Sequence, residues 1–194
     1  SRKAEIENAK KQNKKVALML YPTDDLGSSF RYRSYNIYKA TKNSQKWQLI
    51  YFFTDELSTL IDLLPKADLF IFGRITKWSS QYDEIAYQAH EQGLKVLLDL
   101  DDCVCGTSHI KEMFNIVSPD TVDQEYWIST SAHIELISQL TDGFIVTNDY
   151  LGKILSETHG NKPYKVIKNS LNDEQVKYSN ELLLEKQNRR EGVF

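Results

Sequence analysis

Short, almost wholly apolar runs alternate along this chain with longer stretches in which apolar residues recur every three or four positions. The apolar runs are Val16–Tyr21, Trp47–Phe53, Asp68–Phe72, Leu94–Leu100, Gly143–Thr147 and Tyr164–Lys168, each of strand length. Leu94–Leu100 is apolar at nearly every position, which predicts a strand buried on both faces. The spacing between the runs predicts helices. Phe30–Lys39 sets Phe30, Tyr35 and Ile37 among polar neighbours, and Asp55–Leu64 closes at Pro65. Ser80-Gln-Tyr-Asp83 has the form of a capping box, opening a helix that leaves through Gly93. Val122–Leu140 is the longest amphipathic segment, with Trp127, Ile134, Ile137 and Leu140 close to one stripe. Asn148 caps a helix reaching Gly160, and Asn172-Asp-Glu-Gln175 caps a last one that fades into Lys186–Arg190.

Six strands alternating with helices predict an α/β domain: Rossmann-like and doubly wound, a mainly parallel six-stranded sheet with helices on both faces. Ligands of such sheets sit outside the carboxyl ends of the strands. The chemistry is therefore expected in loops 22–29, 73–79, 101–109, 147–150 and 169–172. Residues 1–14 read as a charged N-terminal extension, 15–172 as the domain, and 173–194 as a linker helix.

Composition narrows the class. The chain of 194 residues carries a net charge of −3, with 41% hydrophobic and 26% charged residues. These values exclude a disordered or collagen-like chain, and the balanced charge argues against a nucleic-acid binder. Cys103 and Cys105, one residue apart and without a second ligand pair, suit neither a disulfide framework nor a zinc site. A reducing, cytoplasmic setting is expected. No apolar run approaches the ~20 residues of a membrane helix. Residues 1–15 hold eight charges and sum to +4. A solvated helical arm is the simpler reading of that charge, and peripheral contact with the inner face of an anionic membrane is its functional use.

Each loop offers candidates. Gly27 precedes a helix start and lets a ligand approach the backbone, but it lacks the repeated glycines of a dinucleotide fingerprint and the lysine of a P-loop. Arg31 and Arg33 add positive charge beside it, the alternative being two arginines on a solvated face. Arg74, directly after the third strand, presents a guanidinium suited to phosphate or carboxylate, or to a salt bridge with Asp101 or Asp102. Val96-Leu-Leu-Asp-Leu-Asp-Asp102 crowds three acids onto the end of a buried strand. Alternation sends Asp99 and Asp101 to one side and Asp102 to the other. Such acids orient sugar hydroxyls, hold Mg²⁺ or act as a base. That reading outweighs capping or pairing for Asp101 and Asp102, but not for Asp99. Asn148 and Asn169 end the fifth and sixth strands, and capping is favoured for Asn148 and Asn172. His90, His109, His133 and His159 have no ligand spacing, so no metal is expected. A serine hydrolase would need a Gly-x-Ser-x-Gly elbow, which is missing.

The order of Gly27, Leu100-Asp101-Asp102, Val146-Thr147-Asn148 and Val166-Ile-Lys-Asn-Ser-Leu-Asn172 resembles landmarks in the N-terminal half of GT-B glycosyltransferases. The likeness is to the large retaining family that includes many bacterial surface-polysaccharide enzymes. It spans roughly residues 16–172. Asp101 stands where His is common, and Ser170 and Asn172 replace a Gly and an Asp. The resemblance implies transfer of a sugar from a nucleotide-sugar donor to a glycan or lipid-linked acceptor. This half would bind the acceptor, and a C-terminal domain beyond this sequence would hold most of the donor. It implies no cofactor and no metal. Asp101 and Asp102 would line the reaction centre, with Gly27, Arg31, Arg33, Arg74, Asn148 and Asn169 binding substrate, and this chain alone would not turn over. Two alternatives remain. Asp99-Leu-Asp101 with Phe144–Thr147 is similar to haloacid-dehalogenase phosphatases, which use Mg²⁺; a non-catalytic binding domain is the other.

Overall fold

The computed structural model describes residues 1–23, 27–75, 77–102, 104 and 124–191. Cys103, Cys105, His109 and the first residues of the predicted Val122–Leu140 helix lie outside them. The strands are β1 (Lys15–Tyr21), β2 (Trp47–Phe53), β3 (Leu69–Gly73), β4 (Lys95–Leu100), β5 (Gly143–Val146) and β6 (Tyr164–Val166). They form one six-stranded sheet in the order β2-β1-β3-β4-β5-β6, with every neighbouring pair parallel. The helices are α1 (Arg2–Lys11), α2 (28–42), α3 (Leu57–Leu63), α4 (Ser80–Glu91), α5 (Gln124–Gln139), α6 (Asp149–Thr158) and α7 (Asp173–Glu191). The fold is thus α/β, Rossmann-like and doubly wound. The chain steps one way from β1 to β2 and the other way from β3 onward. The direction of winding therefore reverses between β1 and β3, where a crevice opens at the carboxyl edge.

Strand alternation divides the interior in two. Val16, Leu18 and Leu20 of β1, Phe70 and Phe72 of β3, and Val96, Leu98 and Leu100 of β4 share one face with buried residues of α3, α4, α5 and α6. Ala17, Met19 and Tyr21 face the other way with Ile71 and Ile145, against Phe30, Ile37 and Tyr38 of α2. Phe30 is edge-on to Tyr21 and Tyr51, each at 5.3 Å between ring centres. On β4 this second face carries Leu97 and then Asp99, which is fully buried.

Three expectations change. Residues 1–14 are not a solvated extension: Ile6 and Ala9 of α1 are buried in the main core. Arg2 donates its Nε to the Tyr51 carbonyl at 2.6 Å and pairs with Glu56, so α1 lies along β2. The predicted Phe30–Lys39 helix is composite. Residues Arg31–Tyr35 are π-helical, with the Asn36 N–H reaching the Arg31 carbonyl five residues back. Third, α4 is capped by Ser79, whose hydroxyl accepts from the Gln81 N–H; Ser80 is already helical. Two other caps form as read. Asn148 accepts from the Leu151 N–H at 2.9 Å, while Asn172 and Gln175 cap each other's N–H at 3.0 and 2.8 Å. No helix among the described residues is long and apolar enough to cross a membrane.

Candidate functional site

Two arginines organise the carboxyl edge, and each is held differently. Arg33 projects from the π-helical turn of α2 onto Asp99 of β4. Its Nε and Nη2 donate to Asp99 Oδ1 and Oδ2, both at 2.8 Å, a forked pair with neither partner measurably exposed. Its Nη1 donates to the Ile167 carbonyl at 2.5 Å and to Asn169 Oδ1 at 3.2 Å. Every nitrogen of this buried cation is therefore paired. Burial pushes the Asp99 carboxyl up to about 6; Arg33 pulls against that shift and neighbouring Asp101 adds to it. At neutral pH the pair is charged on both sides.

Arg74 follows Gly73, and the two residues make the turn out of β3 together. A Cβ on Gly73 would lie 2.8 Å from the Tyr21 ring and 3.1 Å from Met19 Sδ, so no larger residue fits beside β1. Arg74 then adopts φ +44, a left-handed conformation unusual outside glycine, and its N–H bonds the Asp99 carbonyl at 2.9 Å. This turn folds the guanidinium back over the strand ends. There Nη1 meets Ser29 Oγ and, at 3.1 Å, Asp101 Oδ1, while Nη2 meets Asp102 Oδ2 at 3.0 Å. The expected divergence of Asp101 and Asp102 does not occur, because β4 ends at Leu100 and both acids reach one cation. Thr147 donates its hydroxyl to the Asp101 carbonyl at 3.2 Å, linking β5 to the group.

These contacts reassign several residues. Arg33 is not a surface cation for a ligand; it is buried, and its charge is spent on Asp99. Asn169 accepts from Arg33, and Asn148 is occupied as the cap of α6. Among the described residues Arg74 is shared by two carboxylates, so its charge is engaged within the protein rather than held ready for a phosphate. Asp101 is nearly buried, whereas the Asp102 side chain is 55% exposed. Arg31 and Gly27 are exposed, and Arg31 forms no ion pair among the described residues. Asp99 is paired, as its reading in the sequence allowed, while Ser29, which Arg74 meets, was not singled out there. An acid inside an apolar strand does signal a buried cation, but spacing alone suggested Arg74 for it rather than Arg33.

Beside the group, a cavity of about 440 Å³ opens between the ends of β1, β2 and β3, lined by Pro22, Thr23, Thr54, Asp55, Ile75 and Tyr82 among others. Thr23 ties it together, donating to Asp55 Oδ1 and lying 2.9 Å from the Thr54 hydroxyl. Among the described residues, no three His, Cys, Asp or Glu side chains are grouped to hold a metal ion. No known protein family matches the chain, and no curated protein is significantly similar to it by sequence.

Proposed function

We propose that this chain is the acceptor-binding half of a retaining GT-B glycosyltransferase, acting on a glycan or lipid-linked acceptor with a nucleotide-sugar as donor. The observation that carries the reading is the Ser29–Arg74–Asp101–Asp102 group at the reversal of the sheet. It offers carboxylate oxygens fixed by Arg74 at an edge where the Asp102 side chain is exposed. Such carboxylates accept hydrogen bonds from the hydroxyls of a neutral sugar. Asp102 is the exposed acceptor. Arg74 holds both acids in place, and the Arg33–Asp99 pair fixes the strand end beneath them. In this reading donor phosphates are bound by the second half of the enzyme.

The phosphatase reading is less well supported. It requires Asp99 to attack phosphorus, yet both Asp99 oxygens accept from Arg33 and the side chain has no exposed surface.

The test is a transfer assay with labelled nucleotide-sugars on the natural-length protein. Wild type transfers sugar to a glycan or lipid-linked acceptor, and Asp102→Asn lowers kcat/KM at least ten-fold with folding intact. Residues 1–194 alone give no transfer. Magnesium-dependent phosphate release from an aryl phosphate, abolished in Asp99→Asn, would overturn the proposal. So would full transfer activity in Asp102→Asn.

A further inference from the structure

A second cavity, of about 460 Å³, lies between the π-helical turn of α2 and the first turns of α7. That volume is within the range of small-ligand sites. Its walls include Phe30, Arg31, Tyr35, Glu174, Gln175 and Tyr178. Three aromatic rings around one open space, with a guanidinium and a carboxylate at hand, make an amphipathic lining. The rings would pack on the C–H face of a pyranose, and Arg31 and Glu174 would donate to and accept from its hydroxyls.

Its position follows from the backbone. Phe30 is the residue after Ser29, which receives a hydrogen bond from Arg74, so the cavity begins one residue from the acidic group. The π turn sends Arg33 and Ser34 into the interior and leaves Arg31 exposed and Tyr35 half-exposed. The far wall is anchored as well. Asn36 donates to the Ser170 carbonyl at 2.7 Å and to Gln175 Oε1 at 2.8 Å, and Asn172 donates back to Asn36 at 2.8 Å. Lys39 pairs with Glu174 at 2.8 Å, leaving the second carboxylate oxygen for a ligand. These bonds hold the start of α7 against α2, so the cavity has two fixed walls. Phe30 is further fixed by the rings of Tyr21, Tyr51 and Phe53.

We infer that this cavity is a subsite for a neutral sugar ring of the acceptor glycan, one unit or more away from the hydroxyl that reacts at the acidic group. The inference rests on the acceptor-binding reading above and adds the class of ligand and the residues that grip it.

The purified chain is tested on an array of neutral hexose and deoxyhexose oligosaccharides printed beside nucleotides and sugar phosphates, with affinities of the hits measured by titration calorimetry. Wild type retains neutral oligosaccharides. Tyr178→Ala, which removes an exposed ring that the fold does not need, weakens binding at least ten-fold, as does Tyr35→Ala. Tyr87→Ala, an exposed tyrosine of α4, leaves it unchanged. Unaltered binding in Tyr178→Ala, preference for nucleotides or phosphates, or no retained glycan would each overturn the subsite. Sugar transfer by the natural-length protein is read separately. Intact transfer without glycan binding at this cavity sinks the subsite alone, whereas loss of the parent reading shows as no transfer at all.

Discussion

Arg33→Met is the sharpest perturbation of this molecule, because it strips from a carboxylate without solvent contact the cation that pairs with it among the described residues. Breaking such a buried pair from one side costs about 3–5 kcal/mol near neutral pH, a large part of the ~5–15 kcal/mol that holds a domain together. The pH dependence gives the test its edge. In wild type, burial has raised Asp99 from its ordinary 3.8 to about 6 against the pull of Arg33. The folded state therefore holds the extra proton between those values, and this group's contribution to stability falls as pH rises through that window and is level above it. Without Arg33, burial and neighbouring Asp101 act unopposed, and burial of this degree raises a carboxyl by ~3–5 pH units. The variant goes on losing about 1.4 kcal/mol per pH unit above pH 6, where wild type is level. The gap between the two proteins should therefore widen by roughly 1–3 kcal/mol between pH 6 and pH 8. Urea unfolding followed by circular dichroism at pH 6, 7 and 8 measures it, with unchanged m-values confirming a common unfolding transition. A gap independent of pH, or smaller than about 1 kcal/mol throughout, refutes the buried pair. Arg33→Met/Asp99→Leu should recover most of the loss, since no charge is then left without a partner.

Two other outcomes follow from the local geometry. Arg74 sits at φ +44, so Arg74→Gly should be more stable than Arg74→Ala by about 1 kcal/mol, or ~2–4 °C in Tm, although both remove the same cation. Equal melting temperatures would show that the turn relaxes when the arginine is removed. Asn148→Ala should lose about 1 kcal/mol through the missing cap of α6, and Asn148→Asp should keep it, as judged by thermal unfolding.

The sheet was legible because parallel strands buried on both faces need apolar runs, and five such runs stand out. The sixth, Tyr164–Lys168, carries two lysines and forms a short, exposed edge strand. Trp47–Phe53 is both the predicted and the observed β2. The caps at Asn148 and Asn172 were legible for a similar reason, since they act within four residues. What spacing could not reveal was pairing across the sheet. Arg33 and Asp99 are 66 residues apart, and their meeting depends on the strand order β1-β3-β4 and on a π turn that rotates Arg33 inward. An ordinary helix has the same composition, so the turn left no mark in the sequence. Asp101 and Asp102 were rightly singled out as unusual, but their shared hold on Arg74 follows from where β4 stops rather than from alternation. Ile6 and Ala9 were hidden by the lysines around them: one buried side chain per turn is too faint a stripe to read in a basic segment.

The seating of α1 has a consequence for how copies of this protein can meet. A parallel sheet has two borders, each a row of backbone groups able to recruit a foreign strand. The β2 border is seven residues long and aromatic, the more dangerous of the two, and Arg2 occupies its Tyr51 carbonyl while the helix behind it lies on the flank. The opposite border, β6, is three residues long and carries the exposed Lys165. One margin thus has an outward acceptor taken by Arg2 of α1, and the other is brief and charged. The basic segment that reads as a solvated arm takes up part of the border at which a foreign strand could pair.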